Sequence, residues 1–342
     1  MIRDVVTIKQ VAKSAGVSVS TVSKVMNGVP TVNKIIARQV RETVSSLGYQ
    51  PNANARALSS KSSRILGVLV YSIADPISAQ VVLGIEQRSK ELGYDVLLMH
   101  DQGTDEDELH LSRVLIGKRI DAVAIVGAHT QLTNDRMISL FENQLPVVLV
   151  FREAESPDIP AIHLDDFGGA RLATEHLLQH GHRKIGLITG CEEVRRLDRF
   201  RKAGFLDAHR AADVPVDENL FETGNWDPAS GYAAMKKILQ RAQPSAIFVF
   251  NDRMAYGAMH AVREAGLRIP ADVAIVGFDN LASLAEFSSP PLTSIDVDWS
   301  GIGAHTADCL VRSINGEKCD TGTPIPTRLV IRKSCGCTEH KL

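Results

Sequence analysis

Residues 7–26 read TIKQVAKSAGVSVSTVSKVM, and their spacing sets out two short helices around a tight turn. Thr7 followed three residues later by Gln10 has the form of a capping box, in which each side chain satisfies the other's orphan backbone N–H, so a helix is expected to begin at Thr7. Ile8, Val11 and Ala12 give it an apolar stripe at helical spacing. It stops at Ala15-Gly16-Val17, where Gly16 can take the positive φ that a tight turn demands. Ser18 caps a second helix, Val19 to Met26, with Val22 and Val25 facing inward. Asn27-Gly28-Val29-Pro30 breaks it. A third helix is expected from an Asn33 cap to Leu47, with Ile36, Val40, Val44 and Leu47 inward and Gly48 at its end.

Two short helices joined by a three-residue turn with a central glycine make a helix-turn-helix. The second helix of such a unit enters the major groove of DNA, whose base edges distinguish all four pairs. On that helix Val19, Ser20 and Lys24 lie outward: Val19 suits a thymine methyl and Ser20 a base edge. Thr21, Ser23 and Asn27 suit phosphate oxygens, which position a protein without reading sequence. Ordinary capping and surface roles are the alternative for these small polar side chains.

Charge supports the nucleic-acid reading. The net charge of −2 conceals ten Lys/Arg against two acids in residues 1–64, which is +8, and 28 against 38 in the remainder, which is −10. A basic head on an acidic body points to a polyanion partner for the head alone. At 342 residues two or three domains are expected. No window approaches a membrane helix, and the start has no apolar core before a small-residue cleavage site. Five cysteines, an odd number, argue against a disulfide framework and for a reducing cytoplasm.

The stretch from Thr7 to Gly28, together with Leu47-Gly48-Tyr49-Gln50-Pro51-Asn52-Ala53-Asn54-Ala55-Arg56-Ala57-Leu58, resembles the head of the lactose/galactose repressor (LacI/GalR) family of bacterial transcriptional regulators. The resemblance implies a DNA-binding domain over residues 1–50, contacting DNA through Thr7, Ser18, Val19, Ser20, Thr21, Ser23, Lys24 and Asn27. It implies a hinge helix and linker over 51–63 that adds Asn52, Ala55, Arg56 and Leu58. There Ala55 would lie in the minor groove and Leu58 of each subunit would lever open a central base step, an unstacking cost offset by contacts to the bent DNA. Lys24 stands where most members have Arg, which keeps the charge and loses the planar fork for guanine.

From Ile65 onward short apolar runs alternate with amphipathic segments. Strands are expected at 65–71, 94–100, 122–126, 147–151, 184–189, 246–251 and 273–278, with helices at 77–92, 166–179, 228–239 and 252–265. Such alternation implies right-handed βαβ units and parallel sheets covered on both faces. The run divides into two similar halves around residue 163, and two open α/β lobes hold ligands in the crevice at the carboxyl ends of their strands. Gly84-Ile85-Glu86, Gly181-His182, Gly277-Phe278-Asp279-Asn280 and Pro290-Pro291-Leu292-Thr293 carry the family resemblance along the body, whose expected architecture is the two-lobed periplasmic-binding-protein-like fold. The expected domain is 64–342, with lobe one at 64–163 and 293–324 and lobe two at 164–292 and 325–335. After Pro291 the chain should cross to the first lobe for a helix over 298–315 and return with 327–332.

Positions just after strand ends make Ser72, Ile77, Ser78, His129, Phe151, Arg201, Trp226, Asn251 and Asp279 the expected effector site. In the family the positions of Arg201 and Asp279 hold effectors by charged hydrogen bonds and that of Trp226 stacks on a ring, a set suited to a polyol. A surface Arg201–Asp279 network and a half-buried core tryptophan are the structural alternatives. Pro76-Ile77-Ser78 lacks the aromatics many members carry after that proline, and Phe151 replaces a frequent Asp or Asn. A sugar or sugar derivative is the leading effector class, with a nucleoside or purine kept open.

His176, His180 and His182 read as a helix C-terminus with favourable cations. Cys335 and Cys337 with His340 have zinc-like chemistry but no evident fourth ligand, and read as an exposed tail. Asp165 and Asp166 are adjacent and point apart, with Asp166 the expected N-cap. No nucleophile elbow, phosphate loop or dinucleotide fingerprint occurs, so no enzyme activity, metal or cofactor is expected. A solute-binding protein would share the body fold, but the +8 head counts against it. The tail after Arg332 lacks leucine heptads, so a homodimer through the body, and not a tetramer, is expected on a near-palindromic operator.

Overall fold

The computed structural model describes residues 6–26, 29–49, 62–101, 104–127, 141, 145–152, 158–191, 196–319 and 321–337. Asn27, Asn52, Ala55, Arg56, Leu58 and His129 lie outside the described residues. The chain divides into two compact units, Met1–Arg64 and Ile65–Leu342.

In the first unit α1 (Ile8–Ser14), α2 (Val19–Met26) and α3 (Lys34–Leu47) form where the local signals put them. The Thr7 N–H donates to Gln10 Oε1 at 2.7 Å, closing the capping box, and Gly16 turns the chain at φ 61°. Ser18 Oγ accepts from the Thr21 N–H at 3.1 Å and Asn33 Oδ1 from the Ile35 N–H at 2.9 Å. Val11, Ala12, Ala15, Val22, Val25, Ala37 and Val40 make the core. Leu47 is not part of it: in the last turn of α3 the side chain is 36% exposed.

The second unit holds two sheets. Strands β1 (Ile65–Val70), β2 (Asp95–His100), β3 (Ala122–Val126), β4 (Val147–Val150) and β5 (Ala161–Ile162) pair in parallel in the order β2-β1-β3-β4-β5. The second sheet comprises β6 (Ile185–Thr189), β7 (Phe221–Thr223), β8 (Ala246–Val249), β9 (Ala274–Asp279), β10 (Thr293–Asp296) and β11 (Arg328–Val330), in the order β11-β10-β9-β8-β6-β7. All its pairs are parallel except β10 with β11, which is antiparallel. Helices α4 (Pro76–Glu91), α5 (Asp105–Gly117), α6 (Asp166–Gln179), α7 (Arg196–Ala211), α8 (Pro228–Arg241), α9 (Asp252–Glu264), the single turn α10 (Ala282–Ala285) and α11 (Trp299–Ile314) accompany them. Among the described residues no helix is long and apolar enough to cross a membrane.

Three expectations are corrected here. The crossing back to the first lobe follows Asp296, not Pro291: Thr293, Ser294 and Ile295 are buried and pair with Val276, Gly277 and Phe278, so this strand belongs to the second sheet. Only from α11, which packs on α4, β3 and β4, does the chain rejoin the first lobe. The segment after Arg332 is not an exposed tail, since Ser334 and Cys335 are buried. Ser334 accepts through its carbonyl from the Ile275 N–H at 2.9 Å and donates its hydroxyl to the Ile275 carbonyl at 2.6 Å, which ties it to the sheet. Against the expectation of a chain without disulfides, Cys309 on α11 is joined to Cys319, with the Cα atoms 5.2 Å apart.

Candidate functional site

Parallel strands direct their carboxyl ends to one side of each sheet, and the loops leaving those ends enclose a cavity of about 400 Å³. Tyr71, Gly127 and Phe151 follow β1, β3 and β4, and the start of α4 adds Asp75, Ile77 and Ser78. The other lobe supplies Asp166, Arg196, Arg201, Trp226, Asn251, Arg253 and Asp279, with Trp299 from the crossing segment. Of the expected effector residues, Ile77, Ser78, Phe151, Arg201, Trp226, Asn251 and Asp279 therefore share one cavity. Ser72 is not among its lining; the hydroxyl accepts from the Ala74 N–H at 3.2 Å, a turn role set by the tight entry to α4.

The floor is a buried charge cluster. Arg201 is 3% exposed and donates Nε to Asp166 Oδ1 at 2.9 Å and a terminal N–H to the Phe250 carbonyl. The guanidinium lies 3.5 Å from the centroid of the Phe278 ring and 3.9 Å from Asp279 Oδ1. Arg201 and Asp279 thus do pair, but inside the protein and not on a surface. Asp166 is the first residue of α6, not its cap: Asp165 caps it, accepting from the Gly168 N–H at 2.8 Å. One carboxylate serving the backbone and its neighbour turned inward is what adjacent residues at a helix start produce. Asp166 also faces Arg196 at 3.5 Å.

Burial pushes the carboxyls of Asp279 and Asp166 upward, opposed in each case by Arg201; for Asp279 the neighbouring charges of Asp252, Asp75 and Asp166 add to the rise. Asp252, fully buried, is pushed up to about 7 by burial, although the Ser294 hydroxyl and the Leu281 N–H both donate to it. His163 is pulled down to about 4 by burial and by Arg196.

Trp226 is set by its neighbours on both sides. It adopts φ 63°, and its carbonyl accepts from Asn251 Nδ2 at 3.1 Å, while Asn251 Oδ1 caps α9 through the Met254 N–H at 2.8 Å. Its indole Nε1, shielded from solvent, has no partner among the described residues. Gly190 lies against the ring, since a Cβ there would fall 1.8 Å from it. Gly190→Ala is expected to displace the indole at about 1–3 kcal/mol of stability. The check is a red-shifted tryptophan emission with a lowered denaturation midpoint; an unchanged spectrum contradicts it. Asp75 caps α4, accepting from both the Ser78 N–H and its hydroxyl at 2.9 Å, so Ser78 is held by the cap.

Two contacts join the lobes across the cavity. Asp75 of the first pairs with Arg253 of the second at 3.8 Å, and the Trp299 indole donates to the Asp279 carbonyl at 3.0 Å while its ring meets Phe151 edge-on. Sequence reasoning did not place Asp75, Arg196, Arg253 and Trp299 in the site. The strand-end rule that found Phe151 and Asn251 reaches Asp75, five residues beyond the end of β1, Arg253, four beyond β8, and Trp299, three beyond β10; Arg196, seven residues beyond β6 at the start of α7, has no such mark.

In the head Val19, Ser20 and Lys24 are exposed on one side of α2, with Val19 41% exposed. Thr21 and Ser23 are half-buried beside them. Thr7 and Ser18 are exposed at the starts of α1 and α2 and engaged in caps.

Residues 7–52 match the family model described as bacterial regulatory proteins, lacI family, and residues 174–335 match a periplasmic binding protein-like domain. The HTH-type transcriptional repressor PurR of Pasteurella multocida (strain Pm70) is 36% identical over 332 residues, 96% of this chain and 98% of that protein. The solved lac repressor dimer bound to operator and the anti-inducer ONPF is similar with a TM-score of 0.86 at 29% identity, covering 97% of this chain and 99% of that one. The transcriptional regulator CelR in complex with cellobiose is similar with a TM-score of 0.72 at 30% identity, over 96% and 99% of the two chains.

Proposed function

The chain belongs to the lacI family of bacterial regulatory proteins, and we propose that it is a homodimeric, cytoplasmic transcriptional repressor whose hold on a near-palindromic operator is set by a small molecule bound between the two lobes. It acts by binding, not by catalysis. The observation that carries this reading is a DNA-type head on the same chain as a cavity lined from both lobes. A ligand controls DNA only through differential affinity for two lobe arrangements, and a cavity whose walls come from two sheets meets that requirement.

The effector site is Ile77, Phe151, Arg201, Trp226 and Asp279, joined by Asp75, Arg196 and Arg253; Asn251 and Ser78 hold others in place. A flat indole beside an Arg–Asp pair suits a sugar or sugar derivative, one face on the ring and hydroxyls on the charges. The unpartnered Trp226 N–H offers a donor to such an oxygen. A nucleoside or purine is the second reading, favoured by the similarity to a PurR repressor. A thermal-shift screen of sugars, glycosides and nucleosides separates them, since ligand at a hundred times its dissociation constant adds about 2.7 kcal/mol.

DNA contact is assigned to Thr7, Ser18, Val19, Ser20, Thr21, Ser23, Lys24 and Asn27, with the hinge residues Asn52, Ala55, Arg56 and Leu58. Val19→Ala and Ser20→Ala should each change base preference by about 1–3 kcal/mol at one position, whereas Asn27→Ala should weaken all sequences alike. Electrophoretic shifts on operator variants read both effects. Identical preference profiles for parent and variants would show that α2 does not face the bases.

A further inference from the structure

The helix α6 ends on two histidines one turn apart, and a cysteine distant in sequence meets them. Cys337 Sγ lies 3.1 Å from His176 Nε2 across 161 residues of chain. The His176 and His180 rings are 4.4 Å apart, and a ligand atom of each of the three residues lies within 4.8 Å of the others. Two imidazoles at i and i+4 on one helix face with a thiol opposite are donors that hold borderline-soft divalent ions, in contrast to the all-oxygen sets of calcium and magnesium. Metal bonds of about 2.0–2.3 Å place tetrahedral ligand atoms about 3.5 Å apart, so His176 and Cys337 already stand at one edge and rotation of the exposed His180 ring supplies the next.

The surroundings orient the donors. His180 Nδ1 donates to the His176 carbonyl at 2.7 Å, which sets the tautomer and leaves the Nε2 lone pair unclaimed by that bond. His182 is turned away, with Nδ1 on Ser245 Oγ at 3.1 Å. Cys335 is occupied inside the lobe, accepting from the Thr293 hydroxyl at 3.1 Å. The anchored Ser334 fixes where Cys337 emerges.

We propose that His176, His180 and Cys337 form a binding site for a zinc-class divalent cation, with water in the fourth position, that clamps the segment after Arg332 to the end of α6. Binding transfers the Cys337 thiol proton to solvent and forms a metal–thiolate bond, so no oxidant or reductant takes part.

The test uses the full chain stripped with a chelator and titrated with cobalt(II). A thiolate-to-cobalt charge-transfer band and the visible d–d bands of a four-coordinate ion should grow to one equivalent and vanish on adding zinc. Cys337→Ser should abolish the charge-transfer band. His180→Ala, at an exposed position that leaves the fold intact by circular dichroism, should weaken cobalt binding by at least about a hundred-fold, the upper end of what losing even an outer partner costs. Absence of the band in the parent, a band of parent strength in Cys337→Ser, or parent-like cobalt affinity in His180→Ala overturns the proposal.

Discussion

Asp252→Asn is expected to stabilise the body at pH 8 while leaving it nearly unchanged at pH 4, so that the difference between variant and parent grows by about 4 kcal/mol across that window. The carboxyl sits fully buried at the start of α9 and titrates at about 7 instead of near 3.8. A folded-state value raised this way means the native protein keeps a proton that the unfolded chain releases. The stabilisation is complete below about pH 4 and is lost as pH rises toward 7. Asn reproduces the protonated form: its oxygen accepts from the Leu281 N–H and its amide turns to Ser294 Oγ, now an acceptor. Removing the charge also relieves Asp279, which Asp252 helps to push up, and this flattens the profile in the same sense.

Opposing groups titrate in the same window. His163 and His176, both pulled down to about 4, contribute stability that is complete above about pH 6.5 and is lost as pH falls through 4. The parent's own pH profile is therefore a partial cancellation and reads little by itself. The variant-minus-parent difference, from urea titrations at matched pH, cancels the histidines and leaves the Asp252 carboxylate together with its effect on Asp279. A difference constant from pH 4 to 8 would mean that Asp252 is ionised throughout.

What the sequence showed and what it hid divide along the range of the interactions. Thr7, Gly16, Ser18, Asn33 and Gly48 act within three or four residues, so the head was legible from its caps. Buried parallel strands such as Val147–Val150 were legible as apolar runs, and the cavity followed from their ends. The strands of two and three residues, Ala161–Ile162 and Phe221–Thr223, exist only because a neighbouring strand is present to pair with them. Arg196–Ala211 is too rich in charge to read as a helix against a core, although it carries Arg201. The pairing of Asp166 with Arg201 and the meeting of Cys337 with His176 span 35 and 161 residues, and no local pattern encodes them.

That buried pairing changes what removing Arg201 should do. Were the side chain only a grip on the effector, Arg201→Ala would cost about 1.5–3 kcal/mol of effector affinity, roughly ten- to a hundred-fold, and nothing else. Arg201 is instead the counter-charge of Asp166 and Asp279 in a site shielded from water, and it fills the face of the Phe278 ring. Leaving a buried charge uncompensated costs about 3–5 kcal/mol of stability. Both losses are expected together, and a second substitution separates them. Arg201→Ala with Asp166→Asn removes one of the two stranded carboxylates, leaving Asp279, and should recover part of the stability while leaving effector affinity low, because the guanidinium that the effector needs is still missing. Arg253→Ala makes the control: its pair with Asp75 is partly exposed, so stability should move by less than about 1 kcal/mol. Calorimetry with the effector and denaturant titration of the four proteins decide the matter. Parent-like stability of the single Arg201 variant would show that water reaches the cluster. Recovery of effector affinity along with stability in the double variant would show that Arg201 shapes the cavity without touching its ligand.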